Sequence, residues 1–344
     1  MIKIGIICPS EIAFRRFLPA LKKCPEYSYI GVAVADKAEW FGESAASVLD
    51  SEFEKIRAGE MEKAENFRNE YEGKIFKSYA ELISDPDIDA VYVPLPPALH
   101  FKWAEMALKN GKHVLVEKPS TISGEDSGKL ITLARGKGLA LHENYMFAFH
   151  DQLKAIKEIV NSGKLGAVRL YRLDFGFPRR SMRDFRYSRK MGGGALLDCG
   201  GYTLKYATML LGDDARLDYA RMNYTDEFEV DLYGSAALSN KEGQVVQIGF
   251  GMDNAYKCTL EIWGSEGRLV TGRVLTAPAG FTPSYELIRG NESEVHDLPA
   301  DDTFLKSLQY FSRCISDPQI REESYRNIQK QADLVDEFRR LSEQ

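Results

Sequence analysis

The first few residues constrain the fold more than any others. Residues 2–7, Ile-Lys-Ile-Gly-Ile-Ile, form a short, dense β-branched run, the pattern of a strand buried on both faces of a parallel sheet. Phe14, Phe17, Leu18 and Leu21 then fall on one helical face. A second apolar run over 29–35 ends at Asp36, and further strand-like runs follow at 90–95, 113–116 and 139–142. Between the first two of those lies a helical stretch, 99–108, closed by Asn110-Gly111. Strands alternating with helices in this way predict βαβ units and an α/β, doubly wound parallel sheet over residues 1–125.

The rhythm is interrupted at 43–74, a highly charged stretch in which Phe53, Ile56, Ala64, Phe67 and Tyr71 keep near-helical spacing. We read it as one or two solvent-facing helices inserted after the second βα unit. After residue 150 the texture changes. A helix over 153–160 is followed by alternating segments at 168–175, 245–250, 256–263 and 269–270, separated by turn signals. This predicts an α+β domain on a mostly antiparallel sheet over 126–321, serving substrate binding and oligomerisation. Leu334, Val335, Phe338 and Leu341 mark an amphipathic closing helix within 322–344 that is expected to return to the first domain.

Composition narrows the class. Of 344 residues 44% are apolar and 28% charged, as in ordinary globular chains. The net charge of −6 argues against nucleic acid as a partner. The five cysteines are far apart and form no C-x-x-C pair, which suggests neither a disulfide framework nor a zinc site. No metal is expected. Nowhere do 18 apolar residues run together, so no membrane span is expected, and a cytoplasmic protein is.

Three places carry chemistry. The first βα turn, where a dinucleotide pyrophosphate rests in such folds, reads Cys8-Pro9-Ser10-Glu11-Ile12-Ala13. Glycine would be expected at 8 and 10, and only Ala13 matches; Pro9 removes a donor and Glu11 adds a carboxylate. Alone, this turn is no dinucleotide signature. Asp36 is placed to accept from a ribose 2′-hydroxyl, favouring NAD, although Lys37 beside it could pair with the 2′-phosphate of NADP. Far more informative is the buried strand that ends abruptly in Glu117-Lys118-Pro119, with a lysine proton donor at the carboxyl edge of the sheet. Pro119 fixes that turn and could be cis. Further along, Arg179, Arg180, Arg183, Arg186, Arg189 and Lys190 face only Asp184 as an acid within their own tract. Such guanidinium forks suit a pyrophosphate, or else belong to a solvated loop whose charges pair elsewhere.

Taken together, residues 89–100 (Asp-Ala-Val-Tyr-Val-Pro-Leu-Pro-Pro-Ala-Leu-His) and 113–119 (His-Val-Leu-Val-Glu-Lys-Pro) resemble the Gfo/Idh/MocA family, the relatives of glucose–fructose oxidoreductase and inositol dehydrogenase. Residues 143–147, 165–166, 192–202 and 263–267 fit the same family in the same order. The resemblance implies that Lys118 is the catalytic lysine and Glu117 its neighbour at the nicotinamide. It places Leu95, Pro96 and His100 along the cofactor with Cys8, Ser10, Ala13, Asp36 and Lys37. Asp198 and Tyr202 take the two polar positions of a D-x-x-x-H pattern, with tyrosine where many relatives have histidine. A phenol near a lysine can protonate a carbonyl oxygen as hydride arrives. Substrate is expected at Asn144, Tyr145, Arg183, Arg186, Tyr187 and Tyr202.

The expected function is therefore an NAD(P)-dependent oxidoreductase interconverting a secondary alcohol and a ketone on a sugar or nucleotide sugar, working as a homodimer or homotetramer. Residues 175–178 and 184–187 lean toward nucleotide-sugar 3-ketoreductases. The alternatives are a non-catalytic dinucleotide- or sugar-binding sensor of the same fold, a xylose- or dihydrodiol-type dehydrogenase, and an NAD-assisted glycosidase.

Overall fold

The computed structural model describes residues 1–343. The chain divides into two compact units. Unit 1 is Met1–Thr121, Glu125–Asn144 and Ser307–Gln329; unit 2 is Ile122–Gly124, Tyr145–Lys306 and Lys330–Gln344.

Unit 1 is built on a parallel sheet of β1 (Ile2–Ile7), β2 (Tyr27–Ala33), β3 (Lys74–Phe76), β4 (Ala90–Val93), β5 (His113–Glu117) and β6 (Leu141–Asn144), in the order β3-β2-β1-β4-β5-β6. Ile4, Ile6 and Ile7 are fully buried, as a strand covered on both faces requires. The order reverses between β1 and β4, which makes their carboxyl ends the place where such sheets hold ligands. The connecting helices are α1 (Leu18–Leu21), α2 (Lys37–Phe41), α3 (Asp50–Tyr71), α4 (Tyr79–Ser84), α5 (Pro97–Lys109) and α6 (Gly124–Lys137). A π-helical turn, Ala13–Phe17, precedes α1.

The insert at 43–74 contains α3, but it is more than a solvent-facing helix. Phe53, Ala64 and Phe67 are buried, Phe67 and Tyr71 pack on Phe14, and the Tyr71 hydroxyl donates to the Phe14 carbonyl at 3.1 Å. Spacing of 53-64-67-71 thus marked a second seam of the core.

Unit 2 continues with α7 (Asp151–Asn161), β7 (Val168–Gly176), α8 (Gly201–Leu211), β8 (Arg216–Asn223), β9 (Tyr233–Ser239), β10 (Val245–Gly251), β11 (Lys257–Gly264), β12 (Arg268–Gly272), β13 (Ser284–Arg289) and β14 (Glu292–Asp297). Its sheet runs β14-β13-β12-β11-β7-β10-β9-β8 and is antiparallel except where β7 pairs with β10. Strict alternation buries Val246, Ile248 and Phe250 on β10, and Cys258, Leu260 and Ile262 on β11, while Trp263 faces out. Helix α9 (Thr303–Ser316) follows. The closing helix, α10 (Pro318–Ser342), gives its residues 318–329 to unit 1 and its later residues to unit 2, where Leu334, Val335 and Phe338 enter the core. No described helix is long and apolar enough to cross a membrane.

Candidate active site

At the carboxyl edge of unit 1, Cys8 has φ +78°, the left-handed conformation that favours glycine. The turn therefore keeps a glycine-type backbone path without the glycine. The Cys8 N–H donates to the Ala33 carbonyl at 3.2 Å, and Ser10 caps the following helix by accepting from Ala13 N–H at 3.3 Å. Burial pushes the Cys8 thiol up to about 12. Glu11, whose charge would oppose a pyrophosphate, pairs with Arg15 at 2.7 Å. These features fit a dinucleotide whose phosphates lie against the turn.

Asp36 forms a capping box with Glu39: its carboxylate accepts from Glu39 N–H at 2.8 Å, and its own N–H donates to Glu39 at 2.9 Å. Glu39 also accepts from Tyr79 N–H and Ala80 N–H, each at 2.9 Å, so one carboxylate joins α2 to α4. Lys37 pairs with Asp50 of α3.

The strand ending in Glu117-Lys118-Pro119 is framed by buried polar groups. The Glu117 carboxylate accepts from the Tyr92 hydroxyl at 2.7 Å and from Asn144 Nδ2 at 2.6 Å. Burial raises the Glu117 pKa, and those two bonds oppose the rise. Glu143 accepts from Ser120 N–H at 2.7 Å, and the Lys118–Pro119 peptide bond is cis. Leu95 is buried and Pro96 half-buried beside the start of α5.

Two expectations are corrected here. Asn144 is 1% exposed, with both ends of its amide bonded to Glu117 and Ser307, so it braces Glu117 rather than meeting substrate. His100 is fully buried, with Nδ1 2.7 Å from Pro119 O and Nε2 2.6 Å from Leu95 O. Both nitrogens face carbonyls, so the ring is a strut and presents neither to a cofactor.

In unit 2, a π-helical segment, Leu196–Gly200, leads into α8, and a π turn of this kind re-aims side chains where it occurs. It carries Asp198, with Tyr202 four residues on. The Tyr202 ring lies against Tyr145, Phe147 and Phe175 with centroids 5.3–5.6 Å away, and its hydroxyl contacts Met146 Sδ at 3.8 Å. Asp198 accepts from Arg186 Nε at 2.6 Å, and Arg186 Nη1 donates to Asp184 at 3.1 Å.

The glycines 192–194 have a structural cause. A Cβ on Gly193 would lie 2.3 Å from Arg186 O, and Gly194 has φ +116° with Asp231 Oδ1 2.3 Å from its would-be Cβ.

Further corrections follow in this unit. Arg186 is spent on Asp198 and Asp184, and Tyr187 is buried, stacked on Phe228 at 4.4 Å with its hydroxyl accepting from Arg180 N–H. Tyr145 is likewise buried, its hydroxyl accepting from Gln331 at 3.4 Å. Nor does the basic tract face Asp184 alone: Arg179 pairs with Glu227 and Asp253, and Arg189 bonds Glu229. Arg180, Arg183 and Lys190 make no ion pair among the described residues. Sequence reasoning missed Tyr92, Glu143 and Asp231. The only signal was a polar residue set among apolar neighbours, as in Val230-Asp231-Leu232.

Residues 28–145 match a family model described as an oxidoreductase family with an NAD-binding Rossmann fold, and residues 153–270 match the GFO/IDH/MocA C-terminal domain. A dTDP-3,4-didehydro-2,6-dideoxy-alpha-D-glucose 3-reductase of Actinomadura kijaniata is 34% identical over 98% of this chain and 95% of its own. The chain belongs to the Gfo/Idh/MocA oxidoreductases. A 3-reductase of the same description from Saccharopolyspora spinosa is 35% identical over 97% of this chain and 96% of its own. Among solved structures, a 3-ketoreductase from A. kijaniata in complex with NADP and TDP-benzene superposes with a TM-score of 0.87, at 34% identity over 99% of this chain and 97% of that one. As a Gfo/Idh/MocA protein this chain is an NAD(P)-dependent oxidoreductase acting on CH–OH groups, and the sugar or nucleotide-sugar class read from its sequence holds. The preference for NAD read from Asp36 is not supported, because the solved relative carries NADP.

Proposed function

We propose that the protein is an NADPH-dependent 3-ketoreductase of a dTDP-linked deoxysugar, reducing a ring ketone to the secondary alcohol. The observation that carries this reading is Lys118, set at the carboxyl edge of a doubly wound sheet by Glu117, Glu143 and the Pro119 turn. Cys8 and Ser10 would hold the cofactor's phosphates, with Ala13 permitting close approach and Pro96 and Leu95 beside the dinucleotide. Lys37, whose partner Asp50 is largely exposed, would take the 2′-phosphate of NADP. When bound, the nicotinamide supplies the hydride.

The chain's own groups handle the proton. Lys118 is assigned to the substrate oxygen, which gains a proton as the ketone carbon is reduced, and Tyr202 is the other proton donor read from the sequence. Asp198, clamped by Arg186, orients the Tyr202 helix, and the aromatic walls fix the plane of the phenol. Arg180, Arg183 and Lys190 would meet the diphosphate, Arg183 and Arg180 by planar guanidinium forks. The enzyme is read as a cytoplasmic homo-oligomer. Tyr219, Tyr233 and Trp263, all exposed on the outer face of unit 2's sheet, supply its contact surface.

Lys118→Ala is expected to abolish turnover while NADPH still binds, followed by nicotinamide fluorescence; undiminished turnover would sink the assignment. Tyr202→Phe should lower kcat by roughly 100-fold, in the range of general acid–base contributions.

A further inference from the structure

His100 stands one turn into α5, fully buried, and faces two carbonyl oxygens that belong to different loops. Nε2 lies 2.6 Å from Leu95 O, on the loop after β4, and Nδ1 lies 2.7 Å from Pro119 O, on the turn after β5. Carbonyls only accept, so each contact becomes a hydrogen bond when that nitrogen carries the proton. Burial pushes the imidazole down to about 4, so near neutrality the ring holds one proton, donates it to one of the two carbonyls and packs its other edge against the second.

The register of the sheet shows what this contact adds. The β4–β5 ladder pairs Ala90 with His113 and ends at Val93 with Val116. Beyond that pair the two chains leave the ladder: one becomes Pro94-Leu95-Pro96, which has no N–H to offer at either proline, and the other becomes Glu117-Lys118-Pro119. Pairing between β4 and β5 therefore stops before Lys118, although β5 stays paired with β6 as far as Glu117–Asn144, and His100 bridges the two loops past that point.

We propose that His100 is a positioning residue for Lys118, holding the Leu95–Pro96 loop and the Lys118–Pro119 turn as one rigid edge. This rests on the role of Lys118 proposed above. Both ring nitrogens are turned to backbone carbonyls, so the ring acts by fixing where the lysine stands, and misplacement by about 1 Å costs on the order of 100-fold in rate.

The test is a split between kcat and cofactor affinity in the full-length enzyme. His100→Phe keeps a planar aromatic ring, slightly larger than the imidazole, and donates nothing. It should lower kcat roughly 10- to 100-fold, with the NADPH Kd, read by nicotinamide fluorescence, within about threefold of the parent. His100→Gln keeps a donor for one carbonyl but loses the rigid ring that fills the gap to the other, so a smaller loss confined to kcat is expected. A parental kcat in either soluble variant overturns the proposal, as does a Kd that weakens in step with kcat, which would make His100 a cofactor contact. Should His100→Phe fail to fold, His100→Gln decides by the same criteria. Lys118→Ala is assayed alongside: if it still turns over, the lysine assignment itself fails. If it is inactive while both His100 variants are normal, only the present proposal falls.

Discussion

Cys8, in the first βα turn, sits in a backbone conformation that costs a non-glycine residue on the order of 1–3 kcal/mol. Cys8→Val, which adds a branched Cβ at positive φ, should therefore destabilise the protein by about 2 kcal/mol in urea unfolding. Cys8→Gly should stay within about 1 kcal/mol of the parent, because relief of strain offsets the lost packing of the Cys8 side chain on the core. Equal stability of the two variants would contradict the strain argument. At this scale the sequence was legible where chemistry is written in residue type and position, as in Lys118 after a buried strand. It was not legible where a side chain's duty depends on what folds over it. His100 and Asn144 look like ligand groups in a motif, yet each is sealed in and spent on backbone or carboxylate partners.

The helix that carries Asp198 and Tyr202 begins under two acidic controls. Arg186 bridges Asp198 and Asp184 and offsets their mutual repulsion; Arg186→Leu should cost about 2 kcal/mol of stability and lower kcat, measured by urea unfolding and steady-state assay. Asp231 accepts from Leu196 N–H at 2.6 Å, and burial pushes its carboxyl up from 3.8 to about 6. The folded state thus keeps a proton that the unfolded chain releases near pH 4, so this group's contribution to stability falls as pH rises from about 4 to 6. Asp231→Asn retains an acceptor and removes the titration. Its stability relative to the parent should climb across that window and level off above about pH 7, by urea unfolding at each pH; a constant difference would show that Asp231 titrates normally. Periodicity found α5, α7, β7, β10 and β11 to within a residue or two, because their apolar faces are unbroken. It missed β14, Glu-Ser-Glu-Val-His-Asp, since an exposed edge strand carries no buried face to betray it. It missed β9 as well, where Gly234 and small residues blur the alternation.

For the whole molecule, two hydrophobic cores, one in each unit, place the nucleotide fold in unit 1 and the antiparallel sheet in unit 2. NADPH at about 100 times its Kd should add about 2.7 kcal/mol to the stability of the folded protein, seen as a rise in Tm. No rise at saturating concentration would mean that the glycine-free turn does not hold the dinucleotide. The change from a parallel to a mostly antiparallel sheet was readable from the switch in residue pattern near residue 150. The sharing of α10 between units was not, because one amphipathic stripe does not say which core it covers. Hydride transfer to a dTDP-linked 3-keto sugar is read directly from nicotinamide absorbance after such a sugar is added to enzyme and NADPH. We predict stoichiometric loss of NADPH with the dTDP-linked ketone, much slower loss with the free sugar, and none with Lys118→Ala. Tight NADPH binding with no consumption under any of these substrates would contradict the account and mark the protein as a binding protein of the same fold.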